Sequence, residues 1–233
     1  MLILAMESSA KPASVAVCSG RQLLGQYFQN SGLTHSRTLL AMAESLLKNL
    51  DIPIEGIGLL AVSRGPGSFT GVRIGVSAAK GIAWGLDKPI CGVSTLEAMA
   101  QQTPEQGAIL CPVMDARRGQ VYNALFHHSD GALARICEDR AVTLEDLAAE
   151  LRGFDKPCLL VGDGAEISYR SLSEAGVDCN IAPELMRYQT AYGVALAALC
   201  ANPIPAIELE PSYLRPSQAE RERHNIENNN KKA

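Results

Sequence analysis

The most constraining feature of this sequence is residues 63–75, Ser-Arg-Gly-Pro-Gly-Ser-Phe-Thr-Gly-Val-Arg-Ile-Gly. A short apolar run at residues 59–62 precedes it and is typical of a buried strand, because it is brief and leads into glycine and proline. Residues 72–84 follow without a proline and are long enough to form a helix. We therefore predict a strand, a tight glycine turn and a helix at the centre of the fold.

The glycine turn has two interpretations. A helix N-terminus leaves backbone N–H groups free, so a turn containing Gly65, Gly67 and Ser68 is able to hold an anion or a nucleotide. Alternatively, the glycines only make a sharp connection between strand and helix. The turn lacks the Gly-Lys-Ser/Thr ending of a P-loop and the spacing of a dinucleotide fingerprint.

The helix after the turn is apolar on every side and carries charge only at Arg73 and Lys80. A helix of this kind is expected to be covered on both sides. Glycine or alanine recurs at every fourth residue, so a second helix is able to approach closely. We predict a partner interface here, and the alternative is a central helix buried by its own domain. The predicted interface residues are Leu39, Met42, Ala43, Leu46, Leu47, Gly71, Val72, Gly75, Val76 and Ala79.

Residues 64–75, followed by Gly-Val-Ser-Thr-Leu at 92–96, resemble the bacterial TsaB (YeaZ) family. The likeness continues at residues 115–122, 161–165 and 211–215, so it covers almost the whole chain. Members of the family are non-catalytic paralogues of the TsaD/Kae1 proteins. The resemblance implies an α/β protein with the actin-like, sugar-kinase-like ATPase fold, built from two ribonuclease-H-like lobes of which the second is reduced.

We expect the first lobe at residues 1–103, the smaller second lobe at 104–216 and a disordered tail at 217–233. The pattern of the first lobe predicts three strands followed by helix, strand, helix, strand and helix, the order of a ribonuclease-H-like lobe. The tail ends in Asn-Asn-Asn-Lys-Lys-Ala and is too polar to be buried.

Composition excludes several classes of protein. The net charge of −4 argues against unaided binding to nucleic acid, which depends on lysine and arginine. The seven cysteines are odd in number and form no Cys-x-x-Cys pair, so we expect neither a disulfide framework nor a zinc site. No signal peptide and no apolar run of bilayer length is visible. We therefore expect a cytoplasmic protein without a membrane segment.

An actin-like phosphotransferase needs carboxylates near a bound metal–nucleotide and backbone donors for its phosphates. The first strand ends in Glu7, where the family usually has aspartate, and Asp115 ends the first strand of the second lobe. These two acids form either a metal site at an interlobe cleft or ordinary caps and turns. The candidate vestigial nucleotide or phosphate loop comprises Glu7, Ser8, Gly65, Gly67, Ser68, Asp115, Gly162 and Gly164.

The catalytic TsaD paralogues carry a His-x-x-x-His metal motif. The histidines of this chain are His35, His127, His128 and His224, and no two of them have that spacing. A Gly-x-Ser-x-Gly elbow is also missing from the sequence. We expect no catalytic residue, no metal and no cofactor of its own, with a nucleotide at a partner interface left open. A metalloprotease lacks its ligands here, and a small-molecule kinase or ATPase using Glu7 and Asp115 is the main alternative.

The resemblance implies a scaffold subunit for threonylcarbamoyl transfer to the tRNA adenosine next to the anticodon. TsaD would carry the metal and transfer the group, TsaE would supply ATPase activity, and this chain would hold TsaD in a productive state. We expect TsaD and TsaE as partners, a homodimer when the chain is alone, and contact with tRNA only through the complex.

Overall fold

The computed structural model describes residues 1–129 and 131–215. The predicted disordered tail at 217–233 lies outside the described residues. Within them the chain forms two β-sheets with helices packed against their faces. No helix in these ranges combines the length and the apolar character needed to cross a membrane.

The first sheet has the predicted element order. Its strands lie in the order β3-β2-β1-β4-β5, with β1, β2 and β3 antiparallel and with β4 and β5 parallel to β1. The strands are β1 (Leu2–Glu7), β2 (Ala13–Ser19), β3 (Gln22–Gln29), β4 (Leu59–Gly65) and β5 (Ile90–Ser94). The helices between and after them are α1 (His35–Asn49), α2 (Phe69–Gly85) and α3 (Thr95–Gln101).

Both faces of this sheet are buried, which explains why β1 and β4 are continuous apolar runs. Leu4 and Met6 of β1 belong to the core that α1 and α2 cover. Ile3 and Ala5 point the other way, into a second core. α2 begins at Phe69, earlier than the predicted residue 72, because the Ser68 hydroxyl accepts the Gly71 N–H at 3.3 Å and caps the helix.

The second sheet has the strand order β10-β7-β6-β11-β12, and β8 pairs with both β6 and β9. Its strands are β6 (Ile109–Asp115), β7 (Gln120–Asn123), β8 (Phe126–Ser129), β9 (Ala132–Arg135), β10 (Arg140–Thr143), β11 (Cys158–Val161) and β12 (Cys179–Ile181). The remaining helices are α4 (Leu144–Leu151), α5 (Ala165–Glu174), α6 (Glu184–Arg187) and α7 (Ala191–Ala198).

The end of the described chain returns to the first sheet. The alanine-rich α7 packs on β1, β2 and β4 and fills the second core beside α3. Gly193 makes this approach possible, because a β-carbon there would lie 2.3 Å from the Ala98 carbonyl oxygen. Ile204 then bridges to Ile90 of β5. A boundary after residue 103 separates the strands of the two sheets. Contrary to the predicted second lobe at 104–216, α7 and residues 204–209 pack with the first lobe, and Arg215 then bonds to the second.

Candidate functional site

A cleft of about 600 Å³ lies between the two lobes. The turn after β1, the start of α1 and the glycine turn form its first-lobe wall. The end of β6, the turn after it and residues 212–215 form the rest. Its ionisable lining residues are Lys11, His35, Asp115, Arg117, Tyr122, Asp163, Tyr213 and Arg215.

Glu7 does not reach this cleft. Strand alternation places its side chain on the same face as Ala5, where it is completely buried. Its Oε1 accepts the Ser9 N–H at 2.5 Å, and its Oε2 has no hydrogen-bond partner among the described residues. Burial raises the pKa of Glu7, and the neighbouring hydroxyls of Ser9 and Ser63 only partly oppose this rise. Of the two alternatives for Glu7 and Asp115, the structure therefore contradicts a shared metal site at the cleft.

The carboxylates that do line the cleft are Asp115 and Asp163. Asp115 ends β6 and accepts the backbone N–H of Arg117 at 2.6 Å. Asp163 follows β11, the parallel neighbour of β6, and accepts the side-chain amide of Gln189 at 2.8 Å. Asp163 has an accessible face toward the cleft but is otherwise enclosed by protein. This enclosure, together with the nearby charge of Asp115, raises the pKa of Asp163.

Sequence reasoning missed Asp163 as a site residue, although its position was readable. The carboxyl ends of adjacent parallel strands meet at one edge of a sheet, so acids after β6 and β11 had to lie close together. In the described ranges, no three acidic, histidine or cysteine side chains are grouped as a metal ion requires.

The glycine turn is packed between two other segments. A β-carbon at Gly65 would lie 2.3 Å from the Ser212 carbonyl oxygen, and one at Gly67 would lie 2.3 Å from that of Ser9. Ser68 donates its N–H to the same Ser9 oxygen at 2.6 Å. Gly67 and Ser68 line the cleft, but the glycines are required here for close packing. This supports the structural interpretation of the turn.

Other members of the predicted phosphate loop have protein partners. Gly162 donates its N–H to the Arg187 carbonyl at 2.6 Å, and Gly164 donates to the Val113 carbonyl at 3.1 Å. The buried Ser8 hydroxyl donates to the Gly71 carbonyl at 2.9 Å. These groups are therefore not free to hold a phosphate.

The predicted interface residues need a correction, because most of them lie in the core of this chain. A β-carbon at Gly71 or Gly75 would lie 2.1 or 2.3 Å from atoms of Ser8, so the small-residue stripe faces the end of β1. Met42 is only partly buried. The buried members are Leu39, Ala43, Leu46, Leu47, Gly71, Val72, Gly75, Val76 and Ala79.

The surface of α2 that remains open is the opposite one. Trp84 is 84% exposed, and a β-carbon at Gly81 would meet no atom within 4 Å. Ile74, Ala78 and Ile82 flank this open face and are partly exposed. Because α2 is apolar all round, its sequence carried no signal for which side meets the sheet.

Residues 206–215, which we call the C-terminal strap, join the two walls of the cleft. The Lys80 ammonium donates to two strap carbonyls, and Tyr213 stacks on Phe69 with ring centroids 4.2 Å apart. Arg73 donates to the Tyr213 hydroxyl at 2.8 Å. Arg215 donates to the Ala116 carbonyl at 2.8 Å and to the side chain of Gln120, both in the second lobe.

Comparison with known proteins agrees with this architecture. A family profile described as TsaD, tRNA N6-adenosine threonylcarbamoyltransferase, matches residues 29–202. The tRNA threonylcarbamoyladenosine biosynthesis protein TsaB of Bacillus subtilis is 34% identical over 174 residues, which are 75% of this chain and 76% of that protein. The TsaB of Haemophilus influenzae is 28% identical over 227 residues, covering 92% of this chain and 94% of its own.

Among solved structures, YeaZ from Pseudomonas aeruginosa has the same fold, with a TM-score of 0.77 at 24% identity. The match covers 91% of this chain and 99% of that one. The predicted α/β class with two actin-like lobes is confirmed by this likeness and by the strand orders of the two sheets. The chain therefore belongs to the TsaB (YeaZ) family of tRNA threonylcarbamoyladenosine biosynthesis proteins.

Proposed function

We propose that this chain is a non-catalytic subunit that binds TsaD together with TsaE and holds TsaD in a productive state. The reaction served is threonylcarbamoyl transfer to the tRNA adenosine next to the anticodon. The observation that carries the proposal is the open face of α2, where Trp84 is 84% exposed and Ile74, Ala78 and Ile82 are partly exposed. A chain that acted alone would have little reason to leave this face in water.

This face fits another helix. Gly81 has open space around it, and the neighbouring Ser77 is small and exposed, so a partner helix is able to approach the α2 backbone closely. The TsaD profile matches this chain, so TsaD is expected to present an equivalent helix to the same face. When TsaD is absent, a second copy of this chain pairs there as a two-fold dimer.

The positions of the candidate nucleotide-binding groups support a scaffold role. The acid at the end of β1 is buried, and the Gly162 and Gly164 amides are bonded within the chain. The sequence contains no His-x-x-x-His motif. We propose that the chain has no cofactor of its own, that any nucleotide binds at the partner interface, and that tRNA is contacted through the complex because the net charge is −4.

One observation favours the alternative of a small-molecule kinase or ATPase. The cleft is open and two carboxylates, Asp115 and Asp163, line it. ATP hydrolysis by the purified chain without any partner, lost in Asp115→Asn, would establish this alternative. We expect no such activity.

The test of the scaffold role uses co-expression with TsaD and TsaE from the same organism, followed by a tRNA threonylcarbamoylation assay. Gly81→Arg fills the open space on α2 with a charged side chain, so we expect loss of TsaD co-purification and of modification. Because nothing within 4 Å opposes a β-carbon there and arginine favours a helix more than glycine does, the isolated variant should unfold at or above the wild-type temperature.

The matched control is Asn180→Arg, which adds the same charge at an exposed position of β12, far along the chain from α2. It should bind TsaD and support modification normally. Full modification without this chain, or full assembly by the Gly81→Arg variant, would contradict the proposal.

A further inference from the structure

Three cations, Lys11, Arg117 and Arg118, line the cleft or lie next to a lining residue in the chain, and we call them the rim cations. Lys11 and Arg117 line the cleft, and Arg118 follows immediately on the exposed turn between β6 and β7. The ion pairs found within residues 1–129 and 131–215 involve only Arg135, Arg140 and Arg187 as cations. The charged side-chain groups of the rim cations therefore have no carboxylate oxygen within 4 Å in the described part of the chain.

The two arginines have an unusual backbone conformation. Arg117 has φ of 63° and Arg118 has φ of 58°, and Gly119 follows with φ of 72°. Residues with a β-carbon adopt this left-handed region at an energetic cost, and glycine and asparagine are the residues that suit it. Glycine or asparagine would form this turn at lower cost, so the presence of two arginines indicates that their charged side chains have a function.

The turn is also held in place. Ala116 donates its N–H to the Gln120 carbonyl at 3.0 Å, and the Asp115 carboxylate accepts the Arg117 N–H at 2.6 Å. Arg215 of the C-terminal strap donates to the Ala116 carbonyl from the other side. The two exposed guanidinium groups are thus presented from a fixed backbone, and little conformational freedom of the main chain is lost when a ligand binds.

We propose that the Arg117–Arg118 turn, together with Lys11 of the same cleft lining, binds the phosphate backbone of the tRNA in the assembled complex; this inference rests on the proposed function. Guanidinium groups match phosphate oxygens with two parallel hydrogen bonds. Contacts of this kind need exposed cations and no apolar centre, whereas a protein partner would be expected to bury aromatic or aliphatic side chains.

The acidic net charge does not oppose this local role. Charges more than about 8 Å apart are largely screened at physiological ionic strength, so the rim acts on a phosphate nearly independently of acids elsewhere. The acids that face the cleft are Asp115 and Asp163. Asp115 already accepts a hydrogen bond from the turn, and Asp163 accepts one from the side-chain amide of Gln189. The rim adds affinity for tRNA within the complex, while the isolated chain binds tRNA weakly.

The test replaces both arginines by asparagine, Arg117→Asn with Arg118→Asn, because asparagine tolerates the left-handed backbone and carries no charge. The double variant should be at least as stable to heat as the wild type. Binding of tRNA to the complex with TsaD is measured between 50 and 200 mM salt. The slope of log affinity against log salt is negative, and the loss of two phosphate contacts should reduce its magnitude by about 1.8. The affinity for tRNA should fall about tenfold.

The matched control is Arg21→Asn with Arg170→Asn, which removes the same charge from exposed positions on other elements. Its salt slope and affinity should equal those of the wild type. An unchanged slope in the Arg117/Arg118 variant overturns the proposal. So does a loss of TsaD binding with unchanged tRNA affinity per assembled complex, because the rim would then be a protein contact. Failure of the wild-type complex to form is a failure of the proposed function, and it removes this inference with it.

Discussion

Glu7 is a carboxylic acid that protein encloses on all sides at the end of β1. One of its oxygens accepts the Ser9 N–H, and the other has no hydrogen-bond partner in the described part of the chain. An ionised carboxylate is poorly stabilised in such surroundings, so the pKa of Glu7 is raised. The residue is therefore a buried acid with a raised pKa, and its position gives it no access to a ligand in the cleft.

This environment predicts the effect of Glu7→Gln on pH dependence. The folded state holds the Glu7 proton more tightly than the unfolded state does. The associated stability is therefore complete below the ordinary pKa of 4.5 and is lost as pH rises through the raised value. Glutamine keeps an acceptor for the Ser9 N–H but does not ionise. We expect the variant to gain stability relative to wild type between pH 5 and pH 8.

Urea unfolding followed by circular dichroism at several pH values between 5 and 8 measures this difference. Parallel stability curves for wild type and Glu7→Gln would show that Glu7 titrates alike in the folded and unfolded states. That result would contradict a raised pKa of Glu7 in the folded state.

The two faces of α2 have different roles, one in packing within the chain and one in the proposed contact with a partner. Gly71, Gly75 and Ala79 let α2 lie directly against the end of β1, while Gly81 and Trp84 look outward. The Ser8 hydroxyl that contacts the Gly75 position is short, buried and bonded to the Gly71 carbonyl, so it is unable to move aside. The inner face stabilises the fold, and the outer face is left for a partner.

Replacing two glycines of this helix by alanine should therefore change the free energy of unfolding in opposite directions. Gly75→Ala places a β-carbon 2.3 Å from the Ser8 hydroxyl and should destabilise the chain by about 1–3 kcal/mol through overpacking. Gly81→Ala meets no atom within 4 Å and should stabilise it by up to about 1 kcal/mol through helix propensity. Denaturant unfolding of the two variants measures both changes, and equal effects would mean that the two faces of α2 are packed alike.

At the scale of the whole molecule, the C-terminal strap joins the lobes across the cleft. Its first part lies on α2, and Ser212 donates its N–H to the Arg64 carbonyl at 2.7 Å beside the glycine turn. Its last described residue, Arg215, bonds to the turn between β6 and β7 in the second lobe. The strap therefore stabilises the position of the arginine turn at the rim.

Arg215→Met should loosen this turn without unfolding the protein. The variant keeps a long apolar side chain but loses the hydrogen bonds to Ala116 and Gln120, each of which contributes roughly 1–3 kcal/mol when the donor is charged. Hydrogen exchange measured by mass spectrometry should show faster exchange for residues 115–120. Exchange in α2 should stay unchanged, and unaltered protection of the turn would mean that Arg215 does not hold it.

Local structure in the first lobe was determined by the sequence itself. Local signals predicted the strands, the turn and the helix, because each of them involves only a few neighbouring residues. These signals are the apolar runs of β1 and β4, the glycines at 65 and 67 and the helix segment without proline. The long motif at residues 64–75 likewise identified the family, and with it the fold.

Only the tertiary structure decided which surfaces are buried. α2 is apolar all round, so the choice of its inner face depended on the fit of Gly71 and Gly75 against Ser8. Contacts between segments far apart in the chain determine three further features. Glu7 is buried, Asp163 lines the cleft, and α7 and the strap pack against the first lobe. Such contacts are set by the packing of whole elements, which residue patterns within one segment do not encode.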